Sequence, residues 1–324
     1  MASFKFNNVY IKDSFTVAGP LESEGQIGKF DIMMEDYYFK EKTFIGAEIR
    51  MQKVVIDNLL YRNKLAGQID LLLGGDLSNQ LTITNFSAKH FSIPFLGVYS
   101  ACASFAESLI VASEFVEKES IKNAIVITSS HNLNAERQFR FPIEYGAPKA
   151  KTTTFTATGA VGALVTNEKS KIKVESATIG TVMDYDQKDA THMGAVMTPA
   201  AVEVLMKHLE DLKREITYYD VILTGDLGSI GTKIFKEFLN INYGIKIKNH
   251  MDAGCEIFLS SQDIYSGSSG PVTLPLVLFN KVLKNNKFKK ILIVATGSLH
   301  SKDTTNQKKT IPSIAHAVSL EVLA

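Results

Sequence analysis

The sequence predicts a duplicated α/β fold, two related halves stacked as five layers in the order αβαβα. Two matched blocks and one pattern point to it. Asp70–Leu77 returns 150 residues later as Asp220–Leu227, and the same spacing lays Met51–Ala66 over Ala201–Ile216. Ala124–Ser130 returns as Ile291–Gly297, 167 residues on. The repeated runs are short, apolar and β-branched, as strands buried on both faces are. They alternate with helical periodicity, the mark of α/β architecture.

The elements follow in order. Val54, Val55, Leu59 and Leu60 recur at helical spacing in Met51–Ala66, and Val202, Leu205, Leu209 and Leu212 do so in Ala201–Ile216, so both segments are expected as amphipathic helices. A short connection and an apolar strand come next in each half, ending in Gly-Asp-Leu. Asp76 and Asp226 are expected to cap the helices that follow. Ile93–Tyr99 is an apolar run leading to Cys102, after which Phe105, Leu109, Ile110 and Val116 mark a buried helix. The strand Ile125–Thr128 follows. The polar run Asn167–Lys171, between the strands Ala160–Thr166 and Ile172–Ala177, is the expected join, giving an N-terminal half at 1–168 and a C-terminal half at 169–324. The two repeat spacings differ by 17 residues, which places an insertion around Asn240–Tyr265. At the longer spacing Cys102 stands opposite Ser269.

Composition narrows the function. The 324 residues are 45% apolar and 21% charged, an ordinary globular balance. Lys plus Arg number 35 and Asp plus Glu 34, so the basic excess of a nucleic-acid binder is missing. No apolar run reaches the length of a membrane span, and the first eight residues lack the apolar stretch of a secretory signal. Two cysteines without a CxxC, and seven histidines without metal-ligand spacing, give no support for a disulfide scaffold or a metal site. Gly228–Lys233 lacks the spacing of a phosphate loop. The lysines of Lys281–Lys290 read as a solvated helix end and loop.

Cys102 is the first candidate for chemistry. Its place at a strand-to-helix corner puts the thiol on a helix N-terminus, which lowers a thiol pKa or binds a carboxylate equally well. A buried apolar cysteine is the bland alternative.

Ser100–Ser104, between a buried strand and a buried helix, resembles the nucleophile corner of the thiolase and ketoacyl-synthase superfamily. That resemblance implies a histidine after a strand of the second half and a histidine or asparagine in a Gly-rich turn. This sequence has Thr224-Gly225-Asp226 and Gly267-Ser268-Ser269-Gly270 at those places. The cysteine is kept without its proton-handling partners, so condensation and thiolysis are not expected.

A longer string is more specific. Ser130-His131-Asn132, Ala135 to Pro142 and Glu144-Tyr145-Gly146, with Thr224–Leu227, Ala295–Gly297 and Thr310–His316, resemble the stage V sporulation protein AD family from Ala18 to His316. The resemblance implies a thiolase-like protein of spore-forming bacteria that binds dipicolinic acid (pyridine-2,6-dicarboxylate) and supports its uptake into the developing spore. It implies other stage V sporulation A operon proteins as partners. It also implies a cytoplasmic or forespore location at the inner spore membrane, and a homodimer pairing through Pro94–Ala101. No cofactor, metal or nucleic acid is implied.

The residue chemistry is compatible with such a ligand. A planar diacid takes N–H and cationic donors and an aromatic slot. His131, Arg137 and Arg140 follow the strand expected to end near Cys102, and a guanidinium fork suits a carboxylate. Phe139, Phe141 and Tyr145 alternate with them. Cys102, His131, Arg137, Arg140, Ser269 and Ser298 are therefore the expected ligand-binding residues. The alternatives are an acyltransferase using Cys102 as nucleophile with His131 as an unorthodox base, and an assembly protein with an idle site. His300 and His316 carry no preference.

Overall fold

The computed structural model describes residues 1–139 and 148–323. The first half opens with strands β1 (Ala2–Lys5) and β2 (Tyr10–Ala18), a turn of helix α1 (Pro20–Ser23) and the short β3 (Ile32–Met33). Helix α2 (Phe44–Asn63), β4 (Leu71–Gly75), α3 (Thr82–Ala88) and β5 (Phe95–Gly97) follow. Then come α4 (Ser104–Glu117), β6 (Asn123–Ser130), α5 (Asn132–Phe139), β7 (Phe155–Thr156) and β8 (Gly159–Thr166). The second half holds β9 (Ile172–Ile179), α6 (Met193–Leu212), β10 (Val221–Thr224), α7 (Gly228–Tyr243), β11 (His250–Asp252) and β12 (Ser268–Ser269). It closes with α8 (Thr273–Val277), β13 (Lys290–Ser298), α9 (Lys302–Asn306) and β14 (Ser313–Val322).

Strand order in the main sheet is β11-β10-β13-β14-β9-β2-β8-β6-β4-β5. Replacing each strand by its counterpart in the other half returns the same order read backwards, which is the duplication seen in space. The halves join where β2 meets β9, at Tyr10↔Lys173 and Ile11↔Ile172.

Three apolar clusters separate the layers. One packs α2 against the first half-sheet through Met51, Val55, Ile56 and Leu59. Another packs α6 and α7 against the second through Val202, Leu205, Phe235 and Leu239. The third lies between the half-sheets and is built on α4 and on α8 with its continuation Leu278–Val282. Phe105 of α4 meets Phe279 edge-on there, ring centres 5.9 Å apart. The order is αβαβα.

Both outer helices start earlier than their periodicity indicated, because capping rather than patterning sets a helix start. The Thr43 hydroxyl accepts the Gly46 N–H, and His192 Nδ1 accepts the Ala195 N–H. Both helices end on a lysine in left-handed backbone, Lys64 and Lys213. The run Ile93–Tyr99 forms only the three-residue β5, at the sheet edge beside β4. The stretch Lys281–Lys290 is a helix end and loop as expected, with Lys284, Lys287 and Lys289 exposed. Lys281 pairs with Glu256, and Lys290 with Glu175 and Glu321. Among the described residues no helix is long and apolar enough to cross a membrane.

Candidate functional site

Cys102 occupies a single tight turn, Ala101–Ala103, at the head of α4. Ala101 holds left-handed backbone at φ 52°, a conformation that costs a non-glycine residue about 1 kcal/mol or more. Ser104 holds the corner in place. Its hydroxyl donates to the Ala101 carbonyl at 2.8 Å and accepts the Ser100 N–H at 3.1 Å. The end of β13 packs onto this corner, where a Cβ on Gly297 would lie 2.1 Å from the Ser100 carbonyl oxygen. Only glycine permits that approach, and it brings Ser298 to the same place. From the other side β12 pairs with β7, Ser269 opposite Thr156, and the Thr154 hydroxyl donates to Ser269 Oγ at 2.8 Å.

These elements enclose a cavity of about 210 Å³ over the cysteine. Leu77, Ala135, Met193 and Met197 give it an apolar body, while Cys102, Thr154, Thr156, Ser269 and Ser298 supply hydroxyls and the thiol. Phe139 and His300 form one wall, ring centres 4.9 Å apart. Glu136 also lines it and pairs with Lys149 at 3.0 Å. The Phe139–His300 pair and Leu77 are shared with a second, more open cavity of about 420 Å³ lined by Tyr99, Gln138 and Ser301.

The thiol does not behave as its helix-terminal position suggested. Burial pushes the Cys102 pKa well above the ordinary thiol range, the Asp226 carboxyl adds to the shift, and the Gly270 N–H opposes it only in part. Burial raises Asp226 as well, and Asp252 reinforces the shift. Asp226 is fully buried, and no hydrogen-bonding side chain meets either carboxyl oxygen. It does not cap α7. Asp252 does, with Oδ1 accepting the Gly228 N–H at 2.9 Å and Oδ2 the Leu227 N–H at 3.2 Å. Asp252 also accepts the Thr224 hydroxyl at 2.7 Å, and these donors hold its pKa to about 6 despite complete burial. In the first half Asp76 does brace the start of its helix, accepting the Ser78 and Thr84 N–H groups at 2.8 Å each.

Of the expected ligand-binding residues, Cys102, Ser269 and Ser298 converge on the cavity. His131 is not on its wall. It is buried behind α5, where Nε2 donates to the Tyr37 carbonyl at 2.9 Å, Nδ1 accepts the Leu133 N–H and the Phe44 ring lies alongside. Burial lowers its pKa, which keeps the ring neutral. Arg137 lies against the Phe44 ring, 5.6 Å from its centre, and is not on the cavity wall. Arg140, with Phe141 and Tyr145, lies outside the described residues. His300 was not singled out by sequence. The signal was there, since it stands just past the end of β13 as His131 stands just past β6.

Solved structures with this fold include an OleA variant of Xanthomonas campestris, with TM-score 0.64 and 13% identity, covering 98% of this chain and 99% of that one. The same protein bound with cerulenin matches at TM-score 0.63 and 14% identity, over 97% of each chain. The 3-oxoacyl-[acyl-carrier-protein] synthase III of Aquifex aeolicus VF5 matches at TM-score 0.53 and 14% identity, over 99% of this chain and 100% of that one. At these identities the likeness shows the thiolase-like fold. The family model for stage V sporulation protein AD matches residues 2–321. Stage V sporulation protein AD of Bacillus subtilis (strain 168) is 38% identical over 319 residues, 97% of this chain and 94% of that protein. The chain belongs to the stage V sporulation protein AD family, on a thiolase-like fold.

Proposed function

We propose that the chain is a non-catalytic binding protein, that the cavity over Cys102 takes dipicolinic acid, and that the protein supports uptake of that acid into the developing spore. The observation that carries the non-catalytic reading is the neighbour of the thiol. The Asp226 carboxyl adds to the raised pKa of Cys102, whereas a nucleophilic cysteine requires a base that takes its proton. Burial disfavours the charged forms of the thiol and of the Asp226 carboxyl, and the one carboxylate on the cavity wall among the described residues, Glu136, is paired with Lys149. The cavity has an apolar body for a flat ring, the Phe139–His300 pair at one wall, and hydroxyl donors at Ser269 and Ser298. Arg140 belongs to the proposal by its place in the sequence string. The proposal extends to a peripheral position at the inner spore membrane with other stage V sporulation A operon proteins, and to a homodimer.

Calorimetric titration of the purified protein with dipicolinate tests the reading. Saturable heat, weakened at least tenfold by His300→Ala and reduced by Arg140→Ala, is expected. Absence of heat would overturn it. The acyltransferase reading keeps one favourable observation, the strained corner that holds Cys102 at the cavity wall. A stable acyl adduct on Cys102 after incubation with acyl-coenzyme A, lost in Cys102→Ser, would favour that reading instead.

A further inference from the structure

Two buried carboxyls of the first half, Glu48 of α2 and Asp76 after β4, are joined by an unbroken chain of hydrogen bonds. The Ser129 hydroxyl donates to Glu48 Oε1 at 2.9 Å, and Gln52 Nε2 donates to Ser129 Oγ at 2.8 Å and to Thr84 Oγ1 at 3.0 Å. The Thr84 hydroxyl then donates to Asp76 Oδ2 at 2.6 Å. Asn134 Nδ2 of α5 donates to Glu48 Oε2 at 2.7 Å. The cluster is one donor short. Gln52 is fully buried, and its Oε1, one turn along α2 from Glu48, meets no donor. No cation among the described residues offsets the acids. His131 is neutral, Arg137 lies against Phe44, and Glu136 is held by Lys149. On α2 itself Arg50 pairs with Glu41. Strand β2 brings Lys12 and Asp13, paired with Glu168 and Arg62, and α3, β6 and β8 bring no titratable side chain.

The cluster adjoins the site. A closed gap too small for water is lined by Glu48, His131 and Asn134 together with Leu77 and Ala135, and these last two also line the cavity over Cys102. One layer of apolar side chains therefore separates Glu48 from a bound ligand.

We propose that Glu48 is a proton site coupled to the cavity, taking up a proton from solvent when an organic dianion occupies the space over Cys102, so that anion and proton are bound together. Asp76 carries the cluster's charge, because three donors meet it, two of them backbone N–H groups. Glu48 has only two, both from side chains. Burial pushes the Glu48 pKa up to about 8, Asp76 adds to the shift, and the Asn134 and Ser129 hydrogen bonds offset it only in part. A proton there also supplies the donor that Gln52 Oε1 lacks. A dianion beyond Leu77 and Ala135 acts across a medium that screens poorly and disfavours the ionised Glu48 further. Coupling is reciprocal, so ionising Glu48 weakens the ligand by the same factor.

The proposal rests on the reading of the cavity as a dipicolinate site. Calorimetry of the full chain with dipicolinate, in buffers of equal pH and different ionisation heat, counts the protons taken up per ligand. From pH 7 to pH 9 both ligand carboxyls are already ionised. Net uptake at pH 8 is expected, with affinity at least threefold weaker at pH 9 than at pH 7, and Glu48→Gln should abolish both. Zero uptake by the unaltered protein would overturn the proposal. So would uptake that survives in Glu48→Gln, or that is lost in His300→Gln instead. A second measurement needs no ligand. The infrared band of a protonated carboxyl, taken as the difference between the unaltered protein and Glu48→Gln, should vanish with a midpoint near pH 8. Should Glu48→Gln not fold, Asn134→Ala removes a donor from the carboxylate and should move that midpoint up. Absence of a titrating band, or a midpoint that Asn134→Ala leaves in place, would overturn the proton site. A titrating band without dipicolinate heat would overturn the ligand and the coupling and leave the proton site supported.

Discussion

The Thr154 hydroxyl from the first half of the chain donates to Ser269 Oγ from the second at 2.8 Å, beside Cys102 on the cavity wall. This places the Gly267–Gly270 turn at the centre of the site, with Gly270 at φ 114°. A Cβ there would lie 3.0 Å from Ser130 Oγ and 3.3 Å from Thr156 Cγ2. Gly270→Ala is expected to cost about 1–3 kcal/mol, from the backbone conformation and from the crowding together. Urea unfolding checks it, and a loss under about 0.5 kcal/mol would contradict the strain.

The two histidines that follow β6 and β13 are expected to separate stability from binding. His131 is buried, with both ring nitrogens hydrogen-bonded to backbone. Its replacement by alanine leaves the Tyr37 carbonyl unmet and a hole beside Phe44, a loss of about 2–4 kcal/mol. Dipicolinate affinity of the folded fraction should not change. His300→Ala should do the reverse, holding the melting temperature within a few degrees while weakening binding tenfold or more. Equal effects from both would show that the cavity is not where the ligand binds.

Glu22 supplies a pH dependence. Its side chain is fully buried, with Oε1 accepting the Thr158 N–H at 2.9 Å, and burial pushes its pKa up to about 7. A carboxyl raised in the folded state contributes stability below its ordinary range and loses it as pH climbs through about 7. Buried His208 and His316, held down to about 3 and about 4, act oppositely, their contribution fading as pH falls below 6.5. Glu22→Gln keeps the acceptor and removes the titration. Its stability relative to the unaltered protein should rise between pH 5 and pH 8, by up to about 1.4 kcal/mol per pH unit. A constant difference across that range would assign Glu22 no part in the pH response.

The homodimer proposal rests on β5, which bonds to β4 on one side and ends the sheet on the other. An open strand edge is a template for another strand, and Leu96 and Tyr99 are more than two-fifths exposed there. Leu96→Lys is expected to convert a dimer to a monomer by light scattering. A monomeric unaltered protein at micromolar concentration would remove the proposal.

What could be read in the sequence followed from local repetition. The Gly-Asp-Leu blocks and the strand match gave the five layers, and the 167-residue spacing put Ser269 opposite Cys102, where the cavity has it. What could not be read depended on contacts across the chain. The helix N-terminus argument left a lowered thiol pKa and carboxylate binding equally open because it weighed only α4. The raised value comes from burial by both halves and from a carboxyl more than a hundred residues away. Asp226 was matched to Asp76 as a helix cap because the two occupy the same repeat position. The cap of α7 is Asp252, delivered by β11 from another strand. His131 and Arg137 stood in the family string beside residues that do line the cavity. Helix α5 turns Ala135, Glu136 and Phe139 toward it, whereas Arg137 lies against Phe44.

Helix α4 lies between the half-sheets with Phe105, Leu109 and Ala112 wholly shielded from water, touching strands of both. Separated from its twin, a lone copy of the repeat would leave that helix wetted along one flank. The unit that was first copied therefore had to live as a pair, two molecules clasped back to back. Joined end to end, the two copies bring different residues to one cavity, the cysteine from the first and Ser269 and Ser298 from the second.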